Sequence, residues 1–279
     1  MAVRFIADSS CDIDLEFAAE NNIVVLPMKI YFGGEEFIEN VTLSNEEFYA
    51  RLESGKELPK TSLVNQYAWE EAFKAARVAG EQVVAVTLSE KLSGTHNAAN
   101  MAKEALNDPN IFLVDSTQVS FSISALVLEG VKMAKEGKDA KAIYDRLDAL
   151  RHKVRIFASI NSLRYLKEGG RLSAVAALVG GLVNLKPIVT MKNGVVANTS
   201  KVIGTKKAHI AVMEKLREED YDENMPVYFG HGSAREALTE FIEMVKKNFK
   251  VLGGRIFKVG STVGTYAGPG SVAIAFFKK

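Results

Sequence analysis

The first half of the chain alternates short β-branched runs with helical patterns of apolar positions. Val3 to Ala7, Val24 to Phe32, Gln82 to Thr87 and Ile111 to Val114 read as strands. Asp14 to Asn21, Tyr67 to Ala79, Thr95 to Leu106, Ser122 to Lys135 and Lys141 to Arg151 read as helices, and Ser44 with Glu47 forms a capping box for another through Leu52. Such alternation predicts βαβ units and a mainly parallel sheet covered on both faces. The second half has a different rhythm. Asn193-Gly194 lies between Pro187 to Met191 and Val195 to Ala197, a strong hairpin signal that predicts antiparallel pairing. Ile156 to Ile160, Val227 to Phe229, Ile256 to Val259 and Ser271 to Phe277 read as further strands, the last two around a Gly-rich turn. Leu163 to Lys167 reads as a helical turn. Ser173 to Val183 reads as a very apolar helix, Lys206 to Glu218 as another, and Ser233 with Glu236 as a second capping box for a helix to Asn248.

An α/β fold of two domains is therefore expected. Residues 1–153 would form a three-layer α/β/α domain with a mainly parallel sheet. Residues 154–279 would form an α/β (α+β) domain with a mixed sheet.

Composition narrows the function classes. The chain has 279 residues, 47% hydrophobic, with 35 Lys and Arg against 34 Asp and Glu. By surface scaling it exposes roughly 12,000 Å² folded against about 44,000 Å² unfolded, enough burial for a full core or two modest ones. Its formal charge of +1 gives no overall attraction to nucleic acid or an anionic membrane. Cys11 stands alone, which excludes an intramolecular disulfide and a cysteine cluster for metal, and suits a reducing compartment. The opening residues lack a signal-peptide pattern. The longest apolar stretch, Ala174 to Val183, is far shorter than the ~20 residues that cross a bilayer. A cytoplasmic protein without a membrane span is expected.

Common catalytic signatures are missing: no phosphate loop, no G-x-G-x-x-G after the first strand, no H-E-x-x-H, no G-x-S-x-G. The four histidines have no metal-ligand spacing; His152 and His209 read as surface residues, and His231 sits at a strand-to-helix turn that Ser233 would cap. Hydroxyl-rich turns are more informative. Lys60-Thr61-Ser62 and Leu92-Ser93-Gly94-Thr95 would lie at the carboxyl edge of a parallel sheet, where ligands bind. Ser93 at a helix N-terminus suits an anion, and Gly94 allows close approach. Simple helix capping is the preferred reading for Ser62 and an open alternative for Ser93. Gly260 to Gly270 would form either a backbone nest for an anion or a tight turn. The run Ala174 to Val183, with Gly180-Gly181 inside it, would pack closely against protein or a long apolar ligand.

Taken in order, Thr61-Ser62, Leu92 to Thr95, Val114-Asp115-Ser116, the L-x-Y-L-K-x-G-G-R run from Leu163 to Arg171, Lys186-Pro187-Ile188 and Val263 to Gly270 resemble the motifs of the DegV family. The resemblance runs the length of the chain. It implies the role of the fatty-acid-binding subunit of bacterial fatty acid kinase, which serves phospholipid synthesis. A long-chain fatty acid would lie between two domains, its carboxylate held by Thr61, Ser93 and Tyr266 and supported by Ser62, Gly94, Thr95 and Thr265. A separate subunit would bring ATP and metal, docking with the help of Arg171 and Lys206, and no catalytic residue or cofactor would be needed in this chain. At about 0.8 kcal/mol per CH₂, burial of ~15 methylenes contributes roughly 12 kcal/mol before immobilisation costs.

Three positions depart from the family pattern. Tyr266 stands where relatives commonly have His, Phe121-Ser122-Ile123-Ser124 where they are often glycine-rich, and Ile203 where many carry Arg. A phenol donates one hydrogen bond but does not become a cation near neutral pH. Two alternatives follow: a lipid-binding or transport module without a kinase partner, and a small-substrate hydrolase in which Ser93 and His231 gather with Asp8 and Asp115.

Overall fold

The computed structural model describes residues 2–55, 57–172 and 184–279. In chain order its strands are β1 (Val3–Asp8), β2 (Ile23–Leu26), β3 (Lys29–Phe32), β4 (Glu35–Ile38), β5 (Lys60–Ser62), β6 (Gln82–Thr87), β7 (Ile111–Asp115), β8 (Val154–Ser159), β9 (Leu185–Lys192), β10 (Val195–Ile203), β11 (Pro226–Gly232), β12 (Leu252–Lys258) and β13 (Ser271–Phe277). The helices are α1 (Leu15–Glu20), α2 (Asn45–Glu53), α3 (Gln66–Val78), α4 (Thr95–Leu106), α5 (Phe121–Lys135), α6 (Ala140–Leu150), α7 (Arg164–Glu168), α8 (Thr205–Glu218), α9 (Arg235–Asn248) and α10 (Ser261–Ala267).

β2-β1-β6-β7 form a wholly parallel sheet. α3 packs with α4 and α5 with α6, and members of both pairs lie against this sheet. Ser44 Oγ accepts the Glu47 N–H at 3.1 Å, as the capping pattern predicts. β10-β9-β8-β13-β11-β12 form a mixed sheet, antiparallel except between β11 and β12. Asn193 and Gly194 both take positive φ, the geometry a two-residue hairpin loop requires, and join β9 to β10. α5 packs against both β1 and β6 on one side and β8, β11 and β13 on the other. Its residues from Phe121 to Val127 are all buried because that part of the helix has a sheet on either side.

Several elements depart from the sequence reading. Val24 to Phe32 is not one strand. It breaks at Pro27, which has no N–H to continue the ladder, and β3 turns away into a separate antiparallel sheet, β4-β3-β5. Lys60-Thr61-Ser62 is therefore an edge strand of that small sheet and not a turn of the parallel one. The Gly-rich segment after Gly260 is a short helix, α10, and not a nest. Ser233 does not cap α9: its hydroxyl donates to Glu53 Oε1 at 3.0 Å, and the Ala234 N–H is taken by His231 Nδ1 at 3.1 Å. His209 is buried at 3% exposure against the Phe241 ring, because α8 turns that face toward the mixed sheet. The apolar helix read at Ser173 to Val183 lies outside the described residues.

Candidate functional site

A cavity of about 340 Å³ draws its lining from both sides of the Arg151 to Val154 segment. Its wall is largely aliphatic: Leu88, Ile156, Ile160, Leu166, Val189 and Val196 all line it. Hydroxyls and one guanidinium gather in a separate arc.

Thr61 Oγ1 and Tyr266 Oη lie 2.7 Å apart. The Arg171 guanidinium sits over the Tyr266 ring, 5.1 Å from its centroid, and its Nε donates to Leu92 O at 3.4 Å. Leu92 leads into Ser93 and Gly94, and Gly94 lies against the Leu63 side chain, which returns to Ser62 and Thr61. These contacts close a ring around one part of the cavity. α10 brings Tyr266 into it because that helix packs on α2, α7, β3 and β5.

The donors in this arc are incompletely spent. Thr61 and Tyr266 carry two hydroxyl protons and use one on each other. Ser93 Oγ accepts the Thr95 N–H at 3.3 Å and shares a 2.9 Å bond with Thr95 Oγ1, which again leaves one proton between the pair. α4 has Gly94 at its N-cap with no side-chain cap bond, so, the Thr95 N–H apart, its first-turn N–H groups and the positive end of its dipole face the same region. Such a set of donors suits a carboxylate.

Elsewhere in the lining three hydroxyls are committed to carboxyls. Thr262 donates to Glu39, Ser10 to Asp8 and Ser120 to Asp12. Glu39 also accepts the Thr262 N–H at 2.8 Å and the Ser261 hydroxyl at 3.1 Å, and Asp12 accepts the Gly260 N–H at 2.8 Å. These carboxyls fasten the start of α10 to the N-terminal part of the chain. Burial pushes the Asp8 and Asp12 carboxyls above their usual range, against the hydrogen bonds that favour the charged forms.

A family model described as "Uncharacterised protein, DegV family" matches residues 2–279. The chain belongs to the DegV family. It is 31% identical to a DegV domain-containing protein of Clostridium acetobutylicum, with 99% of both chains covered. Among solved structures it is similar to a stearic acid-binding protein from Eubacterium ventriosum, with 27% identity, a TM-score of 0.90 and coverage of 100% of this chain and 99% of that one. It is also similar to a DegV family protein from Eubacterium eligens loaded with heptadecanoic acid, with 26% identity, a TM-score of 0.87 and full coverage of both chains.

Two of the DegV motifs turn out to be halves of one packing unit. Gly169 of the L-x-Y-L-K-x-G-G-R run leaves room for the Tyr266 ring, which would lie 2.5 Å from a Cβ there. Tyr165 of the same run lies equally close to where a Cβ of Gly268 would stand, in the Gly-Pro-Gly segment. Asn161 Nδ2 donates to Pro269 O at 3.0 Å.

Of the remaining residues named from sequence, Ser62 and Gly94 line the cavity and Arg171 lines it from an exposed position. Thr95 is buried behind Ser93, and Thr265 turns its hydroxyl back to Ser261 O at 2.8 Å. Lys206 is exposed on α8, outside the lining. Asp8, Asp115 and His231 are likewise not lining residues, so the cavity does not gather them with Ser93. Phe121 does line it, fully buried and stacked on Phe257 with ring centroids 5.4 Å apart. Sequence reasoning missed Ser120 and Ser271 as lining residues, and no local signal marks them; Thr262, also in the lining, falls in the Gly260 to Gly270 segment singled out from the sequence.

Among the described residues no group of three or more His, Cys, Asp or Glu is arranged to hold a metal, and no helix is long and apolar enough to cross a membrane. A second cleft of about 820 Å³ is polar, but its arginines are engaged with acids: Arg155 with Glu219 at 2.9 Å and Arg151 with Asp148 at 2.8 Å.

Proposed function

We propose that this DegV protein binds a long-chain fatty acid, its tail along the aliphatic wall and its carboxylate at Thr61, Ser93 and Tyr266, and presents that carboxylate to a separate ATP-dependent kinase subunit. The observation that carries the reading is the division of the lining. Paired hydroxyls with a proton to spare, a helix N-terminus and Arg171 surround one part, whereas the Ser10, Ser120 and Thr262 hydroxyls elsewhere in the lining are already donated to buried carboxyls. A carboxylate needs donors, so it favours the first part. The stearic acid-binding and heptadecanoic acid-loaded neighbours support the ligand class. Residues 1–153 and 154–279 would be the two units that enclose the tail.

In this reading the chain supplies no catalytic base. The bound carboxylate is the nucleophile. Its oxygen attacks the γ-phosphorus of ATP held by the partner, the bond to the β-phosphate oxygen breaks, and acyl phosphate and ADP result. ATP and metal belong to the partner. The half-buried Ser93 and Thr61 and the exposed Arg171 keep the head group at the solvent edge, and Arg171 and Lys206 would contact the kinase.

Native mass spectrometry of the purified protein, followed by organic extraction, tests the ligand. A stoichiometric fatty acid is expected; its absence together with failure to take up added stearate would sink the reading. Incubation with a DegV-partner kinase, ATP and Mg²⁺, with hydroxylamine to trap acyl phosphate, tests presentation. Lipid binding without hydroxamate formation would favour a carrier without a kinase, a reading that the 56% exposed Ile203 in the basic segment motivates.

A further inference from the structure

Ser271 is the first residue of β13, lines the cavity and is only 3% exposed, yet its Oγ has no hydrogen-bond partner. Its polar neighbour does not help. Tyr49 Oη, which with Ser271 Oγ flanks Gly232, has its proton donated to Val259 O at 3.1 Å and makes no hydrogen bond with Ser271. A buried hydroxyl without a partner is destabilising, so Ser271 marks a place in the wall where a hydrogen-bonding group is missing.

The other hydroxyls of the same lining say what kind of group fits. Thr262, Ser10 and Ser120 each have their hydroxyl proton committed to a carboxyl, so toward a ligand these oxygens can only accept. Ser271 can still donate. Thr262 and Tyr266 stand one turn apart on α10 and both line the cavity, which puts the acceptor about 6 Å along the helix from the proposed head-group site. A second carboxylate is unsuited to acceptors, and a plain alkyl segment answers neither need. An alcohol, which donates once and accepts once, answers both.

We infer that the cavity contains a subsite for a hydroxyl group on the ligand chain, with Ser271 as donor and the Thr262, Ser10 and Ser120 side of the wall as acceptor, and that hydroxylated fatty acids are a preferred ligand class. This rests on the fatty-acid reading of the same cavity. The readout has a distinct sign. An alcohol moved from water into a wall that cannot pair it loses affinity relative to the plain chain, whereas a paired alcohol gains.

Calorimetric titration of the delipidated protein with stearate, and with a set of stearates carrying one hydroxyl at successive carbons, tests it. At least one positional isomer is expected to bind about three- to tenfold more tightly than stearate, the ratio one net hydrogen bond supplies. Ser271→Ala loses no hydrogen bond and so keeps the fold, and it should bring that ratio close to one. The inference is overturned if no isomer exceeds stearate, or if the favoured isomer keeps its advantage in Ser271→Ala. Should stearate itself fail to bind, the fatty-acid reading falls and takes this one with it; stearate binding without any hydroxyl preference overturns this inference alone.

Discussion

Thr61 and Tyr266 stand 205 positions apart in the chain, yet their oxygens lie 2.7 Å apart. Thr61 is on the edge strand of the small sheet and Tyr266 is on α10, which packs on that sheet. Tyr266→Phe removes one donor from the proposed head-group site. Stearate affinity should fall about three- to tenfold by titration. Tyr266→His should make affinity rise as pH drops through roughly 6.5, because imidazolium adds a positive charge beside the carboxylate. An affinity indifferent to both changes would remove Tyr266 from the site.

Ser93→Ala should weaken stearate binding by a similar factor and leave the melting temperature of the delipidated protein nearly unchanged. The N-cap of α4 is Gly94, and what the change removes at the helix start is the long 3.3 Å bond from the Thr95 N–H and the half-buried 2.9 Å bond to Thr95 Oγ1, a loss of at most about 1 kcal/mol. A lowered melting temperature with unchanged affinity would instead make Ser93 a structural residue.

Gly169→Ala puts a Cβ 2.5 Å from two atoms of the Tyr266 ring and 3.0 Å from Tyr165 O. The ring must shift, at a cost of roughly 1–3 kcal/mol in chemical denaturation. Because the same ring bears the hydroxyl that meets Thr61, stearate affinity should drop as well. Loss of stability with full affinity would show that the ring can move without disturbing the site.

Glu39→Ala strips the acceptor from Ser9, Ser261 and both donors of Thr262, all of them buried. Several unpaired donors should cost about 3 kcal/mol or more in urea denaturation. Glu46→Ala is the contrast: its 2.8 Å pair with Lys258 is exposed, and the change should stay below about 1 kcal/mol. Similar losses for the two would mean that the Glu39 bonds do not fasten α10.

Burial holds the His209 imidazole below its ordinary pKa, with Glu240 opposing and Lys186 adding to the shift. The fold thus favours neutral His209. Its contribution is present above the unfolded value near 6.5 and is lost as pH falls below it. Urea midpoints for His209→Leu should fall less than those of the parent between about pH 8 and about pH 5. The substitution should also remove a buried nitrogen, Nε2, that lacks a partner.

Local chemistry accounts for what was legible in the sequence. β6 and α4 keep the bounds that their apolar periodicity predicts, Ser44 caps α2, and Asn193-Gly194 turns the β9–β10 hairpin. Each depends on neighbours within a few positions. The errors came where a distant partner competes. Ser233 has the pattern of a cap, but its hydroxyl is donated to Glu53, and His231 Nδ1 accepts the neighbouring Ala234 N–H. His209 has the surroundings of a surface residue in sequence and lies against Phe241 in space.

By itself the sequence determined an α/β chain with parallel and mixed sheets, the hydroxyl-bearing turn from Leu92 to Thr95 and the DegV motifs. Those are set by periodicity, turn chemistry and residue identity. Only the tertiary structure decided which hydroxyls remain free to donate. Thr61, Ser93, Thr262 and Ser271 are alike as isolated side chains; buried carboxyls such as Glu39 occupy the proton of one, paired hydroxyls share those of others, and Ser271 is left without a partner. A hydroxyl's capacity depends on its nearest acceptor, and here the acceptors come from chain segments up to more than two hundred residues away.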